Sequence, residues 1–234
     1  MNHDRWYNYH PRSAAQGKTT DMTPIETDED VQAGLAALID ANPELAAIAR
    51  ATGALPLRRR RADFAGLTQI VTAQQVSVAS AAAIFERVRA RFSPLPPGTL
   101  ADFADEDLAA AGLSRPKVRT LRAVAAACES GLDLAGLARK PADEAHAALC
   151  GIKGIRRWRA DIFLLFCAGQ PDIFPSGDLA LQIAVKDALN LEERPIQREL
   201  DAIALRWAPH RAVAARLFWA WYRVMKNGRE TLPV

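Results

Sequence analysis

The chain has 234 residues, of which half are hydrophobic and 24% are charged, and its formal net charge at pH 7 is +3. A chain of this length forms one large domain or two small lobes that share an interface. It contains no run of about 18 or more apolar residues and no apolar N-terminal segment, so we expect neither a membrane span nor secretion, and we expect a cytoplasmic protein.

The three cysteines, Cys128, Cys150 and Cys167, stand singly in the sequence. They show neither the CxxC spacing nor the close Cys/His pairing that zinc and iron–sulfur sites use. We therefore expect no structural zinc site and no iron–sulfur cluster.

Residues 1–24 mix polar and aromatic side chains without periodicity, which predicts a disordered tail. The folded domain is expected at residues 25–234. Its first helix is predicted to begin after Thr27, a capping residue, because Val31 and Leu35 then share one face.

Helical spacing of apolar residues continues through the rest of the chain, and no strand pattern is longer than a few residues. Gly and Pro residues separate the periodic segments. The sequence therefore predicts an all-α fold of about nine to eleven helices. After the first, the helices are expected at residues 43–51, 64–73, 78–92, 100–111, 116–130, 141–149, 156–167, 179–189, 195–205 and 211–222.

The most informative stretch is a predicted helix, tight hairpin and second helix, with the hairpin near residues 149–158. Its turn contains Gly154, which can adopt a positive φ and lets a backbone approach another group closely. The second helix is expected to open near Arg156, with unpaired N–H groups that suit a phosphate. Basic residues crowd the same place: Lys153, Arg156, Arg157 and Arg159. This pattern is typical of a segment that grips a nucleic-acid backbone without reading its sequence.

Two other polar segments each allow two interpretations. Gln74 and Gln75 lie between two predicted helices, where they form either a solvent-exposed turn or part of a binding surface. The four arginines at residues 58–61 form either a solvated face or a contact for a polyanion.

A carboxylate, Asp178, directly precedes the predicted helix at residues 179–189. It is either an ordinary N-cap or a reactive group held beside apolar neighbours. Trp158 and Trp219 stand at helical spacings, where tryptophan is usually part of the core. The residues by themselves leave both questions open.

Together these segments resemble the signature of the helix-hairpin-helix DNA glycosylase superfamily. The matching residues are Gly154-Ile155, Trp158, Ala160 and then Phe174-Pro175 leading to Asp178. Residues 73–79 (AQQVSVA) and 207–211 (WAPHR) resemble the 3-methyladenine DNA glycosylase II branch. The similarity extends over residues 27–222 and implies an all-α, two-lobed helical fold of this glycosylase type, with the active-site cleft between the lobes.

The resemblance also implies roles for individual residues. Asp178 matches the catalytic carboxylate, which stabilises an oxocarbenium-like sugar and orients or deprotonates the attacking water. Gln75 matches the intercalating wedge that fills the gap left by an extruded nucleotide. The base-pocket positions are Trp158, Trp219 and Gln74; the DNA backbone positions are Lys153, Gly154, Arg156 and Arg157; and the carbonyl groups of Cys150, Ile152 and Ile155 would hold a monovalent cation.

The function implied by the resemblance is a monofunctional DNA N-glycosylase, because Trp158 stands where strand-nicking relatives have a lysine nucleophile. Its expected partner is double-stranded DNA that contains alkylated purines, such as 3-methyladenine and 7-methylguanine. The product would be an abasic site in base excision repair. We expect a monomer that requires no cofactor.

A non-catalytic helix-hairpin-helix protein that recognises damaged or abasic DNA is the alternative. It is favoured by Arg156, which stands where the family hairpin usually has a second glycine. Ile162 and Leu179 occupy positions that are aromatic in some relatives, so the resemblance does not fix the lesion spectrum. A helical interaction scaffold without a nucleic-acid partner would leave Asp178, the tryptophans and the two glutamines as coincidence.

Overall fold

The computed structural model of the protein describes residues 23–74, 76–93 and 95–228. These ranges contain eleven α-helices and no strand, so the prediction of an all-α fold is confirmed. None of their helices is both long and apolar enough to cross a membrane. The predicted tail lies outside the described ranges, except for residues 23 and 24. The helices are α1 (Asp28–Ala41), α2 (Ala46–Thr52), α3 (Phe64–Ala73), α4 (Val78–Phe92), α5 (Asp105–Ala110), α6 (Arg115–Glu129), α7 (Ala142–Cys150), α8 (Arg157–Phe163), α9 (Leu179–Ala188), α10 (Gln197–Ala204) and α11 (Arg211–Met225).

The helices divide into two lobes. Helices α3 to α8 pack on one another and form the middle lobe. Helices α1, α2, α9 and α11 come from the two ends of the chain and form the terminal lobe, which α10 joins through the 3₁₀ helix Leu205–Trp207. One hydrophobic core extends through both lobes.

Helix α11 forms the centre of the terminal lobe. Its residues 212–220 are all buried, as expected for a helix enclosed by others. Its neighbours are α1, α2 and α9. The approach of α1 is close because Gly34 has no side chain, and a Cβ atom there would lie 2.8 Å from Cγ2 of Val213. This packing fixes α11 relative to α9.

Helix α8 ends in a π-helical turn, Leu164–Ala168, whereas the sequence predicted a regular helix to Cys167. Two arginines of the run at residues 58–61 donate hydrogen bonds to carbonyl groups of this turn. The backbone N–H of Arg60 donates to the carbonyl of Phe166 at 2.9 Å, and the Arg59 side chain donates to the carbonyl of Cys167. Part of the run at residues 58–61 therefore packs against the π-helical turn.

The buried side chain of Arg216 ties α11 to the same turn. It donates to the carbonyl groups of Leu57 at 3.2 Å and Leu165 at 3.4 Å, and its guanidinium carbon lies 5.1 Å from the ring centroid of Phe166. Burial, together with the positive charge of Arg59, lowers the pKa of Arg216 to about 9. Arg216 is therefore still charged at neutral pH, and carbonyl dipoles and an aromatic face offset its desolvation.

The prediction of one helix at residues 100–111 is wrong. The structure has a 3₁₀ helix, Pro97–Asp102, and then α5, with an extended residue, Phe103, between them. The guanidinium of Arg122 on α6 donates to the carbonyl groups of Leu100 at 3.0 Å and Phe103 at 2.7 Å. Phe103 also packs on Phe92, with ring centroids 4.4 Å apart. These distant contacts break the helix that the local pattern favours.

The predicted hairpin links α7 to α8, and Gly154 within it has a φ of +93°. A Cβ atom on this residue would lie 2.2 Å from Oγ1 of Thr120 on α6. The close approach that the glycine allows is therefore to a helix of the middle lobe.

Replacing Gly154 by alanine tests this contact. We expect Gly154→Ala to lower the free energy of unfolding by about 1–3 kcal/mol more than Gly131→Ala does, because overpacking adds to the cost of a positive φ. Gly131 is the matched control, with a φ of +101° and no heavy atom within 4 Å of a Cβ. Urea-induced unfolding measures both variants. Equal losses would show that the Thr120 contact does not constrain the hairpin.

Candidate active site

Asp178 caps the first turn of α9. Its Oδ1 atom accepts hydrogen bonds from the backbone N–H groups of Ala180 at 3.0 Å and Leu181 at 3.2 Å. The N-cap interpretation of this residue is therefore confirmed. The carboxylate also lies at the positive end of the helix dipole, which favours a negative charge.

Two indole groups bind the same carboxylate. Trp158 donates from Nε1 to Oδ2 of Asp178 at 3.0 Å, and Trp219 donates from Nε1 to Oδ1 at 3.2 Å. Among the described residues, Oδ1 thus accepts three hydrogen bonds and Oδ2 accepts one. Because each carboxylate oxygen has about two lone-pair sites, Oδ2 keeps capacity for a further donor or for a developing positive charge.

The donors come from both lobes. Trp158 lies in the first turn of α8 in the middle lobe, directly after the hairpin, whereas Trp219 lies on α11 in the terminal lobe. Asp178 itself opens α9 and is partly exposed. The structure therefore brings Asp178, Trp158 and Trp219 together where the lobes meet, and Asp178 is partly exposed there.

The two tryptophans differ in accessibility. Trp219 is only 3% exposed and stacks on Phe166, with ring centroids 5.6 Å apart. A crevice beside these two rings has a volume of about 20 Å³, which is room for one water and not for a purine. Trp158 is partly exposed. Trp158 is therefore the ring that a base could reach more readily, and a base-pocket role for either residue stays a prediction.

The basic residues of the hairpin differ in their contacts within the protein. Lys153, Gly154 and Arg156 are exposed. Arg157 instead makes two hydrogen bonds to the carboxylate of Asp201 on α10, at 2.7 and 2.5 Å. Its charge is thus partly offset within the protein, and its contact with DNA stays a prediction.

The hairpin backbone accommodates the residue that departs from the family pattern. Arg156 has a φ of −101°, which any residue can adopt. The carbonyl of Ile152 accepts a hydrogen bond from the N–H of Ile155 at 2.9 Å and keeps a second lone pair that fits a monovalent cation. That cation, with carbonyl ligands from Cys150, Ile152 and Ile155, stays a prediction. The His, Cys, Asp and Glu side chains of the described residues form no metal-binding group.

Gln74 ends α3 and lies at the hairpin. Its Oε1 atom accepts a hydrogen bond from Nη2 of Arg159, and Nη1 of the same arginine donates to the carbonyl of Gly154. The predicted wedge, Gln75, falls outside the described residues. Gln74 therefore belongs to the same neighbourhood as Trp158, and its role in the base pocket stays a prediction.

Residues 68–210, more than half of the chain, match the model of the HhH-GPD superfamily base excision DNA repair proteins. The chain belongs to the HhH-GPD superfamily.

Individual HhH-GPD proteins are similar over most of the chain. DNA-3-methyladenine glycosylase 1 of Schizosaccharomyces pombe is 28% identical over 180 residues, which cover 75% of this chain and 78% of the relative. The crystal structure of a DNA-3-methyladenine glycosidase from Bacillus halodurans has a TM-score of 0.75 and 28% identity, and covers 83% of this chain and 91% of its own. The S. pombe 3-methyladenine DNA glycosylase Mag1, solved in complex with abasic DNA, has a TM-score of 0.60 over 88% of this chain and 95% of its own. Its identity of 23% supports the fold alone.

The sequence analysis of this HhH-GPD chain missed two polar contacts beside the hairpin. One is the link from Arg159 to Gln74. The other is a hydrogen bond from His146 on α7 to the buried Asp161 on α8, with Nε2 and Oδ1 3.2 Å apart. Burial raises the pKa of Asp161, and the hydrogen bond from His146 opposes that rise. Each contact joins two helices, so no local pattern could have indicated it.

Asp178→Ala is expected to move two indole N–H signals in a nitrogen-15 correlation NMR spectrum and to speed their exchange with water. The signals are those of Trp158 and Trp219, because both lose the oxygen that accepts their hydrogen bond. Asp187→Ala is the control, since the indole of Trp221 donates to that carboxylate at 2.8 Å. The control should move the Trp221 signal alone. If Asp178→Ala left both signals in place, this description of the site would be incorrect.

Proposed function

We propose that the protein is a monofunctional DNA N-glycosylase of the 3-methyladenine DNA glycosylase II type. It excises alkylated purines, such as 3-methyladenine and 7-methylguanine, from double-stranded DNA and leaves an abasic site. The observation that best supports this function is the hydrogen bonding of the Asp178 carboxylate. It accepts hydrogen bonds from the indole N–H groups of Trp158, which directly follows the hairpin, and of Trp219.

Cleavage of an N-glycosidic bond passes through a transition state in which the sugar is oxocarbenium-like. A fixed carboxylate stabilises that positive charge and can orient the attacking water. We assign the contact with the sugar to Oδ2 of Asp178, because Oδ1 already accepts three hydrogen bonds. Those three bonds fix the carboxylate before the reaction, so little reorganisation is needed in the transition state.

The target base must leave the duplex before it can react, at a cost of a few kcal/mol. Stacking on an aromatic ring returns about 1–3 kcal/mol per base. The partly exposed ring of Trp158 is the candidate for this contact, and Gln75 is the candidate wedge. An alkylated purine carries positive charge, so it is attracted to an electron-rich ring. The same charge makes it a good leaving group, so one carboxylate suffices.

The absence of strand nicking follows from the residue at position 158. A strand-nicking glycosylase needs a lysine amine that can form a Schiff base with the sugar. Trp158 has no such nucleophile, and its N–H group is bound to Asp178. Of the nearest basic residues in sequence, Lys153 is on the exposed hairpin and Arg157 is paired with Asp201.

Double-stranded DNA is the proposed partner. The exposed Lys153 and Arg156, together with the start of α8, where no side chain caps the backbone N–H groups, suit a phosphate. A monovalent cation bound to the hairpin carbonyl groups would add positive charge at the same place. Mag1, which shares the fold, was solved in complex with abasic DNA. We further propose a cytoplasmic monomer that requires no cofactor.

The non-catalytic alternative drew its support from Arg156. The φ of this residue is open to any side chain, so the missing glycine gives no reason to expect a distorted hairpin. Asp178 also keeps the contacts that catalysis would need. We therefore favour the enzyme.

Incubation with methylated duplex DNA, followed by chromatography of the released bases, tests the function. We expect release of 3-methyladenine and 7-methylguanine, and a loss of about 10²–10³-fold in rate for Asp178→Asn. Asparagine is also a good N-cap, so this variant should fold and should still bind abasic-site DNA. Unchanged release would remove Asp178 from the mechanism. Tight DNA binding without any release by the unmodified protein would favour the non-catalytic alternative.

Salt dependence tests the hairpin contact. We expect the affinity for DNA to fall steeply with added salt, and Lys153→Ala to lower the slope of log K against log salt by about 1, because one phosphate contact is lost. Lys226→Ala is the control, since this exposed lysine lies just after the last turn of α11. Fluorescence anisotropy at several salt concentrations measures the slopes. A flat salt response, or equal slopes for both variants, would argue against the hairpin as the site of contact.

A further inference from the structure

Arg159 joins the hairpin to Gln74, which lies 85 residues before this arginine in the sequence. One side of its guanidinium donates to the carbonyl of Gly154 in the hairpin, and the other donates to the side-chain oxygen of Gln74 at the end of α3. Its Nε atom is enclosed and has no hydrogen-bond partner among the described residues. The side chain is thus held in one orientation, between the predicted grip on the DNA backbone and the predicted base pocket.

The corner between α3 and α4 depends on such side-chain contacts. The backbone turns to an extended conformation at Gln74, where φ is −69° and ψ is 138°. Two residues earlier in the sequence, the ammonium of Lys117 on α6 donates to the carbonyl of Thr72 at 2.7 Å. The next residue in sequence after Gln74 is Gln75, the predicted wedge. The position of Gln74 therefore constrains where the wedge can begin.

Positive charge accumulates around this link. Burial lowers the pKa of Arg159, and the neighbouring charge of Arg156 lowers it further. Burial also lowers the pKa of Lys117, and Arg159 adds to that effect. Gln74 accepts a hydrogen bond but supplies no negative charge. A phosphate at the hairpin would supply it, through charge-assisted hydrogen bonds.

We propose that Arg159 is a positioning residue that couples the hairpin to Gln74, so that contact with the DNA backbone fixes the corner from which the base is extruded. This inference rests on the proposed function and assigns the extrusion step, not bond cleavage, to Arg159.

The first test compares two lesion contexts in single-turnover excision. For a lesion paired with its normal partner, we expect Arg159→Met to slow excision by about 10- to 100-fold, as a misplaced group does. For the same lesion opposite an abasic site, where extrusion costs less, we expect most of that loss to disappear. Arg156→Met is the matched control: it removes the same charge from an exposed position at the start of α8. It should slow excision from both substrates to a similar extent. An equal loss on both substrates for Arg159→Met would overturn the proposal.

The second test needs neither DNA nor catalysis. Gln74→Glu replaces the neutral acceptor of Arg159 by a carboxylate, so it should raise the melting temperature by about 2–4 °C in the unmodified background. The same substitution should give no rise in Arg159→Met, because effects of groups in direct contact do not add. An equal shift in the two backgrounds would show that Arg159 does not hold Gln74.

The two tests separate failure of this inference from failure of the proposed function. If the unmodified protein released no base, the proposed function would fall, and the melting series would still decide whether Arg159 holds Gln74. If it released bases but Arg159→Met behaved like Arg156→Met, the function would stand and the coupling would be rejected.

Discussion

The carboxylate of Asp178 is the point on which the site depends, because its hydrogen bonds cross the boundary between the lobes. Oδ1 is bound by α9 and by Trp219 of α11, and Oδ2 is bound by Trp158 of α8. The carboxylate can therefore hold this orientation only while both lobes are packed. The buried α11 and the contact of Arg216 with the π-helical turn are the features that keep them so.

Among the basic residues that the structure describes, some make contacts within the fold and others are exposed at the hairpin. Arg59, Arg60 and Arg216 donate hydrogen bonds to carbonyl groups of the π-helical turn. Arg157 donates to the carboxylate of Asp201. Lys153 and Arg156 stay exposed at the hairpin. A net charge of +3 for the chain conceals this division. What matters for binding a polyanion is the local concentration of exposed positive charge at the hairpin.

The N-cap and the catalytic interpretations of Asp178 are compatible. A cap uses Oδ1 toward the backbone of α9 and leaves Oδ2 directed at Trp158. Capping therefore fixes the position of the carboxylate that the proposed mechanism requires, and it uses only Oδ1 to do so. The tryptophans likewise combine core packing with hydrogen bonding, since Trp219 is buried and still donates to the carboxylate.

The sequence by itself determined the features that rest on local patterns. Apolar periodicity located most helices, Thr27 and Asp178 lie at the helix starts that they cap, and Gly154 marked the hairpin. Tertiary structure alone decided the break at Phe103, the π-helical turn after α8, and the pairing of Arg157 with Asp201 and of Arg159 with Gln74. The physical reason is one of range: periodicity and capping concern residues within about one helical turn. A polar atom, by contrast, takes whichever partner the packing of distant segments brings within about 3 Å.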